Sequence, residues 1–178
     1  MKPTSCVSTK AGPGEHDERL TCAEVVERGL LDAKTWDDVQ EAALAIFRRG
    51  QAVASAAGFC LVDTKYEFGL ARDGSLMLID EIHTPDSSRF WKAESYQDRV
   101  EKGLEPELFD KEFVRLRYAE AGYRGDGELP LLPDSVWAET ALLYQKAYEL
   151  LTGGTFKPGS YPVESRLLAN LAREGIEL

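Results

Sequence analysis

The chain has no apolar run near the roughly 20 residues that a membrane-spanning helix needs. Its longest, Ala56 to Val62, suffices only for a core strand. The opening residues, Met1-Lys2-Pro3-Thr4-Ser5, carry none of the apolar stretch of a secretory leader. Basic charge is scarce. Lys and Arg number 21 against 31 Asp and Glu, a net charge of -10, which argues against a duplex nucleic-acid binder because no basic face is left for phosphates. Cysteine is sparse as well: Cys6, Cys22 and Cys60 are odd in number and lack paired spacing. That excludes a disulfide frame or zinc site and fits reduced thiols in a cytoplasmic setting. The two histidines, His16 and His83, show no metal-ligand spacing. There is no internal repeat and no low-complexity tract. The remainder, 43% apolar and 29% charged over 178 residues, suits one soluble domain able to bury a core.

Turn and helix signals divide the chain. Residues 1–20, with Pro, Gly and charge, read as an extended segment; Gly12-Pro13-Gly14 is a turn, too short for a phosphate loop. A domain over 21–178 follows. Thr21 and Glu24 have capping-box spacing and Gly29 ends that helix. Thr35 and Asp38 repeat the signal, and helical periodicity predicts a helix over 36–57 despite Gly50. Residues 59–70 and 75–82 alternate around Ala71-Arg72-Asp73-Gly74, which predicts a hairpin. Residues 84–106 read as a long loop, 108–121 as a helix, 126–133 as a connector, 134–151 as a helix ended by Gly153-Gly154, and 162–174 as a last helix. Trp137, Tyr144 and Tyr148 sit at helical spacing and read as core or near-core, not as a stacking platform. The expected fold class is α/β or α+β, a small antiparallel sheet packed against helices.

The hairpin carries the chemistry. In a continuous strand, Asp63, Lys65 and Glu67 share one face, while Val62, Thr64, Tyr66 and Phe68 share the core face. A four-residue loop sets residue 65 opposite 80 and 67 opposite 78; a two-residue loop sets 67 opposite 80. Either register brings Asp80 to the charged face beside Glu67, close enough for two carboxylates to share a hard divalent ion. A three-residue loop turns Asp80 away. The plainer alternative is a solvated face with a cross-strand Lys65–Asp80 pair, worth little. The loop that follows, Asp80-Glu81-Ile82-His83-Thr84-Pro85-Asp86-Ser87-Ser88-Arg89-Phe90-Trp91, adds two hydroxyls and an arginine fork suited to phosphate. Its plainer reading is a turn with an exposed Arg and Asp86 as a cap.

Asp63-Thr64-Lys65-Tyr66-Glu67-Phe68-Gly69 followed by the Asp80–Trp91 run resembles the signature of phosphoribosylaminoimidazole-succinocarboxamide synthase, the SAICAR synthetase family. Ser8-Thr9-Lys10, Gly14-Glu15-His16-Asp17-Glu18, Phe109-Asp110-Lys111-Glu112-Phe113-Val114-Arg115 and Tyr148-Glu149-Leu150-Leu151-Thr152-Gly153 agree in order, so the likeness covers about residues 4–157. It implies a ligase of purine biosynthesis that joins the carboxylate of carboxyaminoimidazole ribotide to the amine of aspartate, with ATP and magnesium and through an acyl phosphate. It implies that Glu67 and Asp80 serve the metal and ATP phosphates and that Lys65, with Asp63 beside it, lies near the substrate carboxylate. It implies, too, that Arg89, with Ser87 and Ser88, holds the ribotide phosphate, that Asp17 lies near the metal or the aspartate, and that Lys10 is a substrate contact. No role follows for His16 or His83.

The resemblance also implies a β-rich ATP lobe ahead of residue 1, with a Gly-rich turn, a nucleotide-contacting Lys and an Arg-and-Ser segment. No Gly-rich strand–turn–strand occurs in residues 1–58. The expectation is therefore the C-terminal lobe of the family fold: a fragment, a subunit completed by a separate N-terminal ATP lobe, or a shortened relative. The surface such a lobe leaves open favours a partner or a homo-oligomer. The alternative function is a non-catalytic phosphate-binding or assembly protein built on the same site.

Overall fold

The computed structural model describes residues 7–9 and 18–176. Two short strands, β1 (Val7–Ser8) and β2 (Arg19–Leu20), pair antiparallel ahead of the first helix. Helix α1 (Cys22–Glu27) starts as its spacing predicts. Glu24 N donates to Thr21 Oγ1 at 3.3 Å, and Thr21 N donates to Glu24 Oε2 at 2.7 Å. Each bond satisfies a backbone donor that a bare helix start leaves open.

Helix α2 (Ala33–Ala56) begins earlier than expected. Its cap is Asp32, whose carboxylate accepts from Thr35 N at 3.0 Å and from Thr35 Oγ1 at 2.6 Å. Thr35 thus sits in the first turn, and Asp32 takes the capping place that the sequence offered to Thr35.

The expected hairpin is split. Strand β3 (Phe59–Thr64) stops before Lys65 and pairs antiparallel with β6 (Ser88–Lys92). Strand β4 (Phe68–Leu70) pairs with β5 (Leu76–Leu78) in a separate two-stranded sheet. Residues 84–106 are not one loop, since β6 and helix α3 (Ala93–Glu101) lie within them. The Pro, Ser, Gly and charge of 84–106 give Ser88-Arg89-Phe90-Trp91-Lys92 no strand signal of its own. β3 supplies the ladder partner that makes it a strand.

Helices α4 (Glu112–Glu120), α5 (Asp134–Thr152) and α6 (Val163–Arg173) complete the chain. Gly153 takes φ 69°, the left-handed conformation that ends α5. The helical spacing does not bury Trp137 and Tyr148, which stay exposed; Val136 and Ala147 face the core instead.

The main core gathers Ala54, Phe59, Leu61, Phe90 and Phe109, with Phe47, Leu143 and Leu151 against it. A second cluster, Leu20, Val25 and Trp36, ties β2 and α1 to α2. This is the mixed architecture expected, with small antiparallel sheets held by helices. Among the described residues no helix is long and apolar enough to cross a membrane.

Candidate functional site

A bulge in β3 places the first site residue. Leu61 pairs with Phe90, but Asp63 pairs with Arg89, so Val62 is one residue more than the partner strand provides. By strict alternation Asp63 would share the core face of Phe59 and Leu61. The extra residue reverses the faces, and Asp63 emerges on the surface. There Arg89 Nη2 lies 3.2 Å from Asp63 Oδ2, with both side chains about half exposed.

The reversed register turns the next pair inward. Thr64 Oγ1 and Ser88 Oγ are 2.8 Å apart. Ser88 Oγ is 3.4 Å from Ser87 Oγ, which is 3.2 Å from Thr84 Oγ1. Thr84 Oγ1 donates to Glu81 Oε2 at 2.6 Å, and Ser88 N donates to the Thr84 carbonyl at 2.9 Å. The Thr84–Ser88 turn is thereby folded on its own hydroxyls. Sequence reasoning gave Thr84 no role in it, although Thr-Pro-Asp-Ser is a turn signal.

Lys65 and Glu67 lie in the stretch between β3 and β4, outside either ladder. Lys65 N donates to the Ser87 carbonyl at 3.2 Å, and Lys65 Nζ is 2.8 Å from Glu67 Oε1. The Glu67 carbonyl accepts from Ile79 N at 3.0 Å, so Asp80 is the next residue along from a backbone partner of Glu67.

The expected register is corrected here. Phe68 pairs with Leu78 and Leu70 with Leu76, leaving residues 71–75 as the loop. An odd loop carries the opposite parity from both expected registers and aligns 80 with 66, not with 65 or 67. Because 65–67 and 79–80 are not strand residues, pleating no longer sets which way Glu67 and Asp80 face. Asp80 is exposed and the Glu67 side chain is largely covered. Lys10 and Asp17 lie outside the described residues.

Asp110 is the residue the sequence reading left out of the site. It is fully buried. Its Oδ2 accepts from Phe90 N at 2.8 Å, and its Oδ1 accepts from Glu112 N at 2.8 Å. Burial pushes its carboxyl above the usual range, against the pull of those two backbone N–H groups and of Arg89 nearby. One side chain so pins β6, directly beside Arg89, to the start of α4. The Phe109-Asp110-Lys111 match was the available signal.

The geometry brings Asp63, Arg89, Ser87, Ser88 and Lys65 onto neighbouring segments; Glu67 and Asp80 flank the β4–β5 hairpin, tied through the backbone bond from Ile79 N to the Glu67 carbonyl. Among the described residues, no group of His, Cys, Asp or Glu large enough to cage a metal gathers. The donor chemistry of Glu67 and Asp80 suits magnesium, which takes hard oxygens and commonly binds by one or two carboxylates together with substrate phosphates.

The model of the SAICAR synthetase family matches residues 1–130. The chain belongs to that family. It is 42% identical over 174 residues to the chloroplastic phosphoribosylaminoimidazole-succinocarboxamide synthase of Arabidopsis thaliana, covering 96% of this chain and 42% of the plant protein. The SAICAR synthase of Saccharomyces cerevisiae, solved in complex with SAICAR, shares 31% identity at a TM-score of 0.67, over 80% of this chain and 46% of the yeast one. A type-2 SAICAR synthetase solved with ADP shares the fold at a TM-score of 0.57 and 24% identity, over 80% of this chain and 48% of that one. The chain spans about half the length of the curated relatives it matches.

Proposed function

We propose that this chain contributes part of the site for SAICAR formation, in which the carboxylate of carboxyaminoimidazole ribotide is joined to the amine of aspartate at the expense of ATP. Arg89, Ser87 and Ser88 hold the ribotide phosphate. An arginine fork backed by short hydroxyls matches that group in shape and charge. Lys65 stands near the ribotide carboxylate and offsets its charge, while Asp63 orients the Arg89 guanidinium. Glu67 and Asp80 would hold magnesium, which when bound neutralises the phosphates of ATP. The reaction asks mainly for positioning and charge neutralisation, which this set of side chains supplies. Lys10 and Asp17 belong to the same reading as substrate contacts.

The observation that carries the reading is the Asp63–Arg89 pairing beside the Thr64–Ser88 hydroxyl pair. It sets the Arg89 guanidinium one strand away from the Lys65–Glu67 segment, which supports the reading of Arg89 as the phosphate contact. The half-length match supports a further element: an ATP-binding lobe from elsewhere in the family fold, or a second copy, completes the site. Exposed Leu70, Met77 and Ile79 along the second hairpin are consistent with a surface that takes a partner.

The test is ADP release by the purified chain with ATP, magnesium, carboxyaminoimidazole ribotide and aspartate, alone and with the N-terminal portion of a relative added as a separate chain. Release that requires both ribotide and aspartate, in either arrangement, supports the ligase. Ribotide binding with no ADP release in either arrangement supports the second reading, a non-catalytic phosphate-binding or assembly protein.

A further inference from the structure

Two locally unfavourable choices meet at one point in the fold. Gly50 sits well inside α2, where glycine costs about 1 kcal/mol relative to alanine. His83 takes φ 53°, a region that side chains seldom enter, and it is the one non-glycine residue to do so among the described residues. The two features are a single contact. The His83 ring lies against the Gly50 backbone so closely that a Cβ at position 50 would overlap ring atoms. From there His83 Nε2 reaches Tyr66 Oη at 2.5 Å. The two rings meet edge to face, with centroids 5.6 Å apart.

The contact joins three separate pieces of chain. Tyr66 lies between Lys65 and Glu67, in a stretch that no ladder holds. His83 lies between Asp80 and Ser87, in the connection from β5 to β6, which is likewise irregular. Helix α2 supports the His83 ring at Gly50. Two backbone bonds also tie these stretches together, Lys65 N to the Ser87 carbonyl and Ile79 N to the Glu67 carbonyl. They act at the outer ends, and the Tyr66–His83 bond closes the middle. Backbone strain of this kind persists only where surrounding contacts impose it, and it concentrates at working sites.

We propose that His83, seated on Gly50 and hydrogen-bonded to Tyr66, is a positioning residue that clamps the Lys65–Glu67 stretch to the Asp80–Arg89 loop. The proposal rests on the reading of those residues as a ligand site only for its effect on binding. The clamp itself is a property of the chain.

Hydrogen exchange on the chain tests the clamp directly. In His83→Ala and in Tyr66→Phe, amides of 65–67 and 80–87 are expected to exchange about five- to tenfold faster together, as loss of one hydrogen bond predicts, while β3, β6 and α5 keep their protection. His83→Gln, whose amide nitrogen can stand near Nε2, should restore most of the protection. Gly50→Ala should release both stretches by displacing the ring. Wild-type exchange in His83→Ala, or a uniform rise over the whole chain in every variant including His83→Gln, overturns the clamp. Calorimetry with SAICAR as the probe then separates the two ideas. If wild type binds SAICAR, His83→Ala should bind about tenfold more weakly and His83→Gln nearly normally; equal affinity in all three overturns the positioning role. If wild type binds none, the ligand reading fails for this chain, and the exchange result alone decides the clamp.

Discussion

Arg89 and Asp63 face each other across β3 and β6 only because Val62 is bulged out of the ladder. Their side chains then meet at 3.2 Å on the surface, where water weakens the pair. A phosphate offers the guanidinium a stronger, two-pronged partner than this half-exposed carboxylate does. On the proposed function, Asp63 orients the fork without locking it.

Replacing Arg89 follows from that arrangement. Arg89→Ala should weaken SAICAR binding by roughly ten- to a hundredfold, the scale of a charge-assisted hydrogen bond. Arg89→Lys should recover only part, since an ammonium cannot form the fork. Calorimetry on the three proteins measures it. Unchanged affinity in Arg89→Ala would remove the residue from the phosphate site.

Glu67→Gln and Asp80→Asn are expected to abolish magnesium-dependent nucleotide binding. Each substitution keeps the side chain's shape and removes one hard anionic ligand. Asp80 is exposed, so its variant should fold as wild type does, which circular dichroism will show. Nucleotide binding that survives in both variants sinks the metal assignment.

Asp110 gives a stability prediction with a definite sign in pH. Asn at this position has one acceptor oxygen for two backbone donors, Phe90 N and Glu112 N. Asp110→Asn should thus destabilise by about 1–3 kcal/mol in urea unfolding, the cost of one buried unsatisfied group. Burial raises the folded carboxyl above its usual 3.8, so the folded state binds the proton more tightly than the unfolded chain. That contribution is full below pH 3.8 and is lost as pH rises through the raised value. The wild-type margin over Asp110→Asn should narrow with rising pH across that interval. A margin that widens there contradicts the burial argument.

Glu24 behaves in the opposite sense. The backbone N–H and hydroxyl of Thr21, and then Arg28, draw its carboxyl from 4.5 down to about 2. A depressed carboxyl stabilises above its unfolded value and loses that contribution as pH falls through its folded one. The stability difference between wild type and Glu24→Gln should be constant above about pH 5 and vanish toward pH 2. Thermal unfolding across that range measures it, and a difference that persists at pH 2 would mean the capping box is not its source.

The capping box and the Asp134–Thr152 helix were legible because their signals are local. A cap, a period and a terminating glycine lie within a few residues of one another. The cap of α2 was misplaced by three residues because Asp32 and Thr35 are both competent and only hydrogen bonding chooses between them. Trp137 and Tyr148 were misread because helical spacing reports a shared face but not whether a neighbour covers it. In the candidate site, residue type and order singled out Asp63, Lys65, Glu67, Asp80, Ser87, Ser88 and Arg89, and the resemblance supplied their proposed roles. Asp110 was missed because its role lies in two backbone donors, one of them 20 residues away.

What the sequence by itself determined is the family and its chemical inventory, since contiguous motifs such as Asp63 to Gly69 and Asp80 to Trp91 survive any folding detail. It also determined most of the helices, whose bonds span four residues. The tertiary structure alone decided that β3 pairs with β6, that Val62 bulges and brings Asp63 to the surface, and that residues 71–75 form an odd loop. It decided, too, that His83 rests on Gly50. Register and bulges depend on which distant strand arrives as partner, and a shift of one residue exchanges the faces of everything that follows.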